Sequence, residues 1–356
     1  MDDVLQEKKY SLRKLLTDKS YHHISNKISS DVIKNDPAIH KHLKQIAEIY
    51  VSTPSQLFDI HYDVEILKKD WKNLVEKNVS QNIDSRCKSG HKILNMFMSH
   101  IWDVQNHKGK SIRGNMNHET MYKALLLNLQ IKDTPYRSEL RRSLGFVIGL
   151  SNVTKYKTVM TKKLCLHFNA KSVLDPCIGW GGRMLGTLCL GNKYVGCEPD
   201  HNTFEKLQQI LNHESIPSDI KPLAHIINKP FEFAKDDIND MFDMVLTSPP
   251  YYNLELYTNG LQSVNTYPSW EEWIKWYENM ILFCLSRLNQ NGTSCWSVKD
   301  FKTDKKYPLA TLTIKIHQDN GWKLIETFKT TGSSRPTSIA KISEEITYCF
   351  KKHQSP

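Results

Sequence analysis

The chain of 356 residues carries a formal net charge of +10, with 39% hydrophobic and 10% aromatic residues. That length admits two domains, or one large domain with an appendage, and the composition suits a globular protein with a real core. It holds no run of about eighteen apolar residues, which argues against a membrane-spanning helix, and the opening MDDVLQEKKY does not read as a signal peptide, so an intracellular protein is expected.

The basic excess is concentrated in the first 150 residues and favours a polyanionic partner such as nucleic acid. The eight cysteines form no Cys-x-x-Cys pair, and several lie in apolar stretches, which suggests reduced core thiols. His40 and His42 are close together without a further ligand at metal spacing, so no metal site is expected.

Taken in chain order, the first 145 or so residues read mainly as helices. Asp36-Pro37 looks like a cap followed by proline at the first helical position, and Ile39, Leu43, Ile46, Ala47 and Tyr50 then share one face. Val64, Leu67, Trp71, Leu74 and Val75 make a second stripe, and 91–102 and 121–131 read as two more helices. Between them, NHKGKSIRGN (106–115) is a basic loop; Gly109-Lys110-Ser111 resembles a phosphate loop, but Val104 stands where that motif needs glycine.

From about residue 160 short apolar runs alternate with helical segments. Strands are expected at 171–175, 193–198, 223–228, 242–247 and 293–298, with helices at 203–213 and 271–288 among the connections. This alternation predicts a parallel sheet wrapped by helices. The runs 322–331 and 344–352 are expected to pair as an antiparallel hairpin at the sheet edge. The domain reading is therefore a mainly helical region over 1–150, a candidate for DNA recognition, and an α/β catalytic domain over 151–356.

In an open α/β sheet, ligands bind beyond the carboxyl ends of the strands. The first strand ends in Asp175-Pro176-Cys177-Ile178-Gly179-Trp180-Gly181-Gly182-Arg183, a loop whose glycines permit a sharp turn and a close approach to a ligand. A dinucleotide fingerprint starting at Gly179 would need glycine where Met184 stands. Glu198, about twenty residues on, is placed to accept hydrogen bonds from ribose hydroxyls. A glycine loop and a ribose acid without a phosphate lysine suggest a nucleoside cofactor lacking a pyrophosphate, a description that S-adenosylmethionine meets.

The fourth strand ends in Thr247-Ser248-Pro249-Pro250-Tyr251-Tyr252. Two prolines donate no backbone hydrogen bond and cannot continue a strand. An exocyclic amino group on a nucleobase is a poor nucleophile, because its lone pair is delocalised into the ring. Acceptors at its two N–H groups, the Ser248 hydroxyl and the Pro249 carbonyl, would let the nitrogen pyramidalise toward a methyl sulfonium, and consecutive prolines would hold that carbonyl in place. Tyr251 can stack on the base.

DPCIGWGG and TSPPY, in this order with Glu198 between them, resemble the signature motifs of the S-adenosylmethionine-dependent DNA amino-methyltransferases over roughly residues 155–352. The resemblance implies a Rossmann-like seven-stranded methyltransferase sheet with the C-terminal antiparallel hairpin. It gives Ser248, Pro249, Pro250 and Tyr251 the catalytic role and Asp175 the contact with the methionine part of the cofactor. Glu198 inherits the ribose contact and Phe231 is a candidate for the adenine pocket, while Cys177, Gly179, Trp180, Gly181 and Thr247 complete the cofactor set. Serine at the first tetrapeptide position resembles the cytosine-N4 branch more than the adenine-N6 branch. Cys177 and Trp180 depart from the commoner Phe-x-Gly-x-Gly loop. A cysteine nucleophile of the cytosine-C5 kind belongs at the substrate strand, where this chain has Ser248, so Cys177 reads as a packing residue.

A base in duplex DNA would have to flip into the pocket, with Tyr251 or Tyr252 replacing the lost stacking. Lys299 and Arg335 are candidate substrate contacts. The alternatives are adenine N6, an RNA base, and a catalytically silent nucleic-acid-binding scaffold. No helix-turn-helix or zinc-finger pattern stands out in the basic N-terminal region, and the oligomeric state is not legible.

Overall fold

The computed structural model describes residues 35 to 353, apart from 36, 81–82, 85, 132–136, 151–152, 258–261, 263–265 and 330–345. In chain order its main helices are α1 (Pro37–Ser52), α2 (Val64–Glu76), α3 (His91–Phe97), α4 (His118–Ile131) and α5 (Arg137–Ile148). There follow α6 (Thr158–His167), α7 (Gly182–Leu188), α8 (His201–Asn212), α9 (Trp270–Ser286) and α10 (Leu309–Asp319). The strands are β1 (Ser172–Asp175), β2 (Lys193–Cys197), β3 (Ala224–Ile227), β4 (Phe242–Thr247), β5 (Leu288–Val298), β6 (Trp322–Phe328) and β7 (Ile346–Lys352).

The chain divides into two compact units, 1–60 with 99–153, and 61–98 with 154–356. A single cut at residue 150 does not describe this division, because 61–98 clusters with the sheet. Lysine chemistry explains the attachment of that segment. The buried Lys162 of α6 directs its Nζ at the carbonyls of Leu74 (3.0 Å), Val75 (2.5 Å) and Lys77 (2.9 Å), capping the carboxyl end of α2. A cation there answers both the orphan carbonyls and the negative end of the helix dipole. Asp70 of α2 in turn accepts the amides of Lys92 (2.8 Å) and Ile93 (3.4 Å) at the start of α3.

The first unit is helical. Ile39, Leu43, Ala47 and Tyr50 of α1 are buried as the stripe predicts, and they share a core with Met121, Leu125 and Leu129 of α4 and Leu140 and Leu144 of α5. The helix expected over 91–102 stops at Phe97, and a 3-10 turn takes over at Ser99–Asp103.

The second unit is built on a seven-stranded sheet of order β6-β7-β5-β4-β1-β2-β3. Strands β1 to β5 pair in parallel, while β7 runs antiparallel to both β5 and β6. The expected α/β class and the terminal antiparallel pair are both observed. β4 begins and ends at the residues read from the sequence, whereas β5 starts five residues early at Leu288, through an exposed stretch Asn289–Asn291 that the apolar pattern does not mark. Helices α6 and α10, not singled out in the sequence, flank the sheet segments. Leu309 and Ile316 of α10 share a core with strand residues such as Val245, Trp296 and Phe350, and Leu164 of α6 is fully buried. The chain lays β1, β2 and β3 outward to one side and then returns to place β4 on the other side of β1. That reversal is the topological switch point at which such sheets open a crevice.

Candidate active site

Asp175, the last residue of β1, is fully buried, and its carboxylate accepts four hydrogen bonds. Oδ2 takes Arg183 Nε and the Tyr194 hydroxyl, each at 2.7 Å, and Oδ1 takes the Thr247 hydroxyl at 2.8 Å and the Cys177 amide at 3.2 Å. Arg183 sits in the first turn of α7 and also donates to the carbonyls of Cys177 and Ile178, while its guanidinium lies 5.2 Å from the Tyr156 ring. The whole turn of the glycine loop is thus held from inside by one arginine–aspartate pair. Sequence reading passed over Arg183 although it ends the quoted motif, and over Tyr194. The signal available was an arginine at the start of a helix otherwise built of small and apolar residues.

The loop itself turns through left-handed glycines. Gly179 has φ +57° and Gly181 has φ +77°, values that side chains rarely adopt. A Cβ at Gly181 would meet Leu207 Cδ2 at 2.8 Å, whereas one at Gly179 would meet nothing within 4 Å. Gly181 is therefore fixed by packing, and Gly179 presents open backbone to the crevice.

Glu198, just beyond β2, is 7% exposed. Oε2 accepts the Gly179 amide and Oε1 the Asp200 amide, each at 3.0 Å. Each oxygen retains a lone pair beyond these bonds. Burial pushes its carboxyl up to about 8, against the opposing effect of the two amides. Trp180 is buried with its ring 6.1 Å from that of Tyr257, so an aromatic contact joins the glycine loop to the segment after the tetrapeptide. The Cys177 thiol, half-buried and 3.8 Å from Met280 Sδ, is pushed well up by burial and by Asp175.

The tetrapeptide leaves β4 directly. Thr247 is buried with its hydroxyl turned to Asp175, Ser248 and Pro250 are half-buried, and Pro249 is buried. Tyr251 is 7% exposed and meets Phe301 edge-on at 5.3 Å. Tyr252 donates to the Pro268 carbonyl and lies among Trp270, Trp273 and Tyr307, with ring centroids 5.5 to 6.2 Å away.

The remaining candidates fall elsewhere. Phe231 is 6% exposed and packs edge-on against Phe283 at 5.3 Å within the core of this unit. Lys299 is half-buried at the carboxyl end of β5, beside Asp300, whose Oδ1 accepts the Ala310 amide at 3.0 Å in the first turn of α10. Arg335 lies outside the described residues. Among the described residues no helix is long and apolar enough to cross a membrane.

No curated protein matches the chain. Solved structures similar to it include the glycopeptide N-methyltransferase MtfA, at 10% identity over 55% of this chain and 90% of that one, with a TM-score of 0.38. An S-adenosylmethionine-dependent methyltransferase from Clostridium acetobutylicum matches at 11% identity over 55% and 91%, TM-score 0.36. The ribosomal protein L11 methylase from Lactobacillus delbrueckii subsp. bulgaricus matches at 12% identity over 56% and 81%, TM-score 0.37. Residues 242–356, from β4 and its tetrapeptide onward, match the family model described as DNA methylase, and over this segment the resemblance to the DNA amino-methyltransferases is borne out.

Proposed function

We propose that the protein is an S-adenosylmethionine-dependent methyltransferase acting on an exocyclic amino group of a DNA base, with cytosine N4 as the favoured target. The observation that carries this reading is the hydrogen bond from Thr247 to Asp175, which ties the strand bearing the tetrapeptide to the strand bearing the glycine loop. Cofactor and target base would then meet across the switch point of the sheet.

The residues present fit the cofactor. Open backbone at Gly179 admits a ligand, and Glu198 has acceptor capacity left for two ribose hydroxyls. When bound, S-adenosylmethionine supplies an electrophilic methyl group on its sulfonium. Asp175, with four donors already on its carboxylate, acts by fixing the loop around Cys177 and Gly179 for the cofactor, rather than by presenting a free oxygen. The contact of Trp180 with Tyr257 joins the glycine loop to the segment that follows the tetrapeptide.

On the substrate side, the Ser248 hydroxyl and Pro249 carbonyl accept the two N–H bonds of the amino group, which concentrates its lone pair on nitrogen. Rigid prolines give that pair of acceptors its preorganisation. Tyr251, propped edge-on by Phe301, faces the base, which reaches the pocket by leaving the DNA stack. No covalent protein intermediate is needed, and the Cys177 thiol, pushed well up by desolvation, is poorly suited to supply one. The basic helical unit is the candidate for DNA recognition.

The experiment is nucleoside mass spectrometry of mixed-sequence DNA after incubation with labelled S-adenosylmethionine. Labelled N4-methylcytosine is expected. Labelled N6-methyladenine would preserve the mechanism and overturn the choice of base. No label in DNA, with label in RNA, would overturn the substrate.

A further inference from the structure

Beyond β5 the chain folds back in a small antiparallel hairpin, Phe301–Lys302 with Lys306–Tyr307. Phe301 stands opposite Tyr307 and Lys302 opposite Lys306. Because side chains alternate across a strand, the two pairs face opposite ways. The aromatic pair is buried, its rings stacked at 5.0 Å with 14° between planes. It abuts the tetrapeptide, with Tyr251 edge-on to Phe301 at 5.3 Å and Tyr252 against Tyr307 at 5.5 Å. The turn is pinned to the same segment, since the Thr303 hydroxyl donates to Asn253 Oδ1 at 2.8 Å and Asn253 Nδ2 approaches Asp304 Oδ1 at 3.4 Å.

The other face is basic. Lys302 and Lys306 are exposed, lie directly opposite each other, and make no ion pair among the described residues. Like charges in that arrangement weaken a strand pair. Lys305 adds a third exposed cation, its Nζ 5.5 Å from the Tyr307 ring. The single acid of the hairpin, Asp304, is engaged by the Tyr307 hydroxyl at 2.8 Å. A surface lysine serves solubility anywhere, but a like-charged cross-strand pair on a hairpin locked to the tetrapeptide calls for an anion.

We propose that Lys302 and Lys306, on the hairpin face turned away from the tetrapeptide, hold the phosphodiester backbone of the nucleic acid that presents a nucleotide to Ser248. The inference rests on the proposed function for its location, and it names the contact that would anchor the strand while the base enters the pocket.

The test is the salt dependence of duplex DNA binding by the full chain, compared with the Lys302→Gln, Lys306→Gln double variant. Loss of two phosphate contacts should reduce the slope of log affinity against log salt by about 1.8. Without DNA the variant should melt no lower than the parent, because a repulsive pair has been removed. A control that lowers net charge equally, Lys193→Gln with Lys315→Gln, should keep the parental slope. An unchanged slope in the hairpin variant, or an equal fall in the control, overturns the proposal. Methylation of DNA with an unchanged slope sinks this inference alone. A hairpin-dependent slope without any methylated base sinks the functional reading alone. Failure of the parent to bind DNA or RNA sinks both.

Discussion

The Thr247 hydroxyl donates to Asp175 Oδ1 at 2.8 Å, with both side chains fully buried. Because the carboxylate is paired to Arg183, this bond links two loops through one buried centre. Thr247→Val keeps the shape and removes the donor. It should lower stability by about 1.5–3 kcal/mol, the range for a hydrogen bond to a charged group, and weaken cofactor binding as the glycine loop loosens. Asp175→Ala strands a buried arginine and should lose about 3–5 kcal/mol. Urea denaturation and calorimetric titration with S-adenosylmethionine measure both effects, and a Thr247→Val protein with parental stability would remove the link from the account.

Ser248 lies one residue past that link and is half-buried, and the proposed chemistry asks it to accept a hydrogen bond from the amino group. Ser248→Ala should cut kcat roughly a hundredfold, the scale of losing one preorganised hydrogen-bonding partner. Cofactor affinity should stay at the parental value, since Glu198 and the glycine loop are untouched. Single-turnover methylation assays separate the two quantities, and full activity in the variant would displace serine from catalysis.

Cys177 offers the sharpest contrast between mechanisms. Its thiol is pushed well up by burial, so little thiolate exists at neutral pH to attack a pyrimidine ring. Cys177→Ala should therefore retain turnover near the parental level, and no protein–DNA adduct should survive denaturation. An adduct lost in the variant would establish nucleophilic catalysis instead.

The second unit was legible because its strands are nearly continuous apolar runs, as parallel strands covered on both faces must be. The same logic put Asp175, Glu198 and Ser248 at strand ends, where the sheet indeed carries them. What stayed hidden depends on pairs distant in the chain. Tyr194 reaches Asp175 across a neighbouring strand, and Asn253 reaches Thr303 fifty residues on, neither of which any periodicity encodes. Asp175 shows the limit in another way. Its position follows from the motif, but its saturation by four donors follows from packing alone. The attachment of 61–98 to the sheet unit is equally invisible, because it rests on the Lys162 caps rather than on a composition break.

Glu198 gives the pH dependence of the protein a definite sign. Burial raises its carboxyl from 4.5 to about 8, so between those values the folded protein holds a proton that the unfolded chain has lost. Stability in the absence of cofactor should consequently fall as pH rises through that window, by at most about 1.4 kcal/mol per pH unit. Glu198→Gln should flatten this slope and be the more stable protein at pH 8. Ribose hydroxyls donate to the ionised carboxylate, so cofactor binding at pH 7 should release a proton, and affinity should climb with pH until it levels off near the carboxyl's value. Titration calorimetry in two buffers of different ionisation heat reads that proton directly. Its absence, with binding intact, would mean that Glu198 does not meet the ribose.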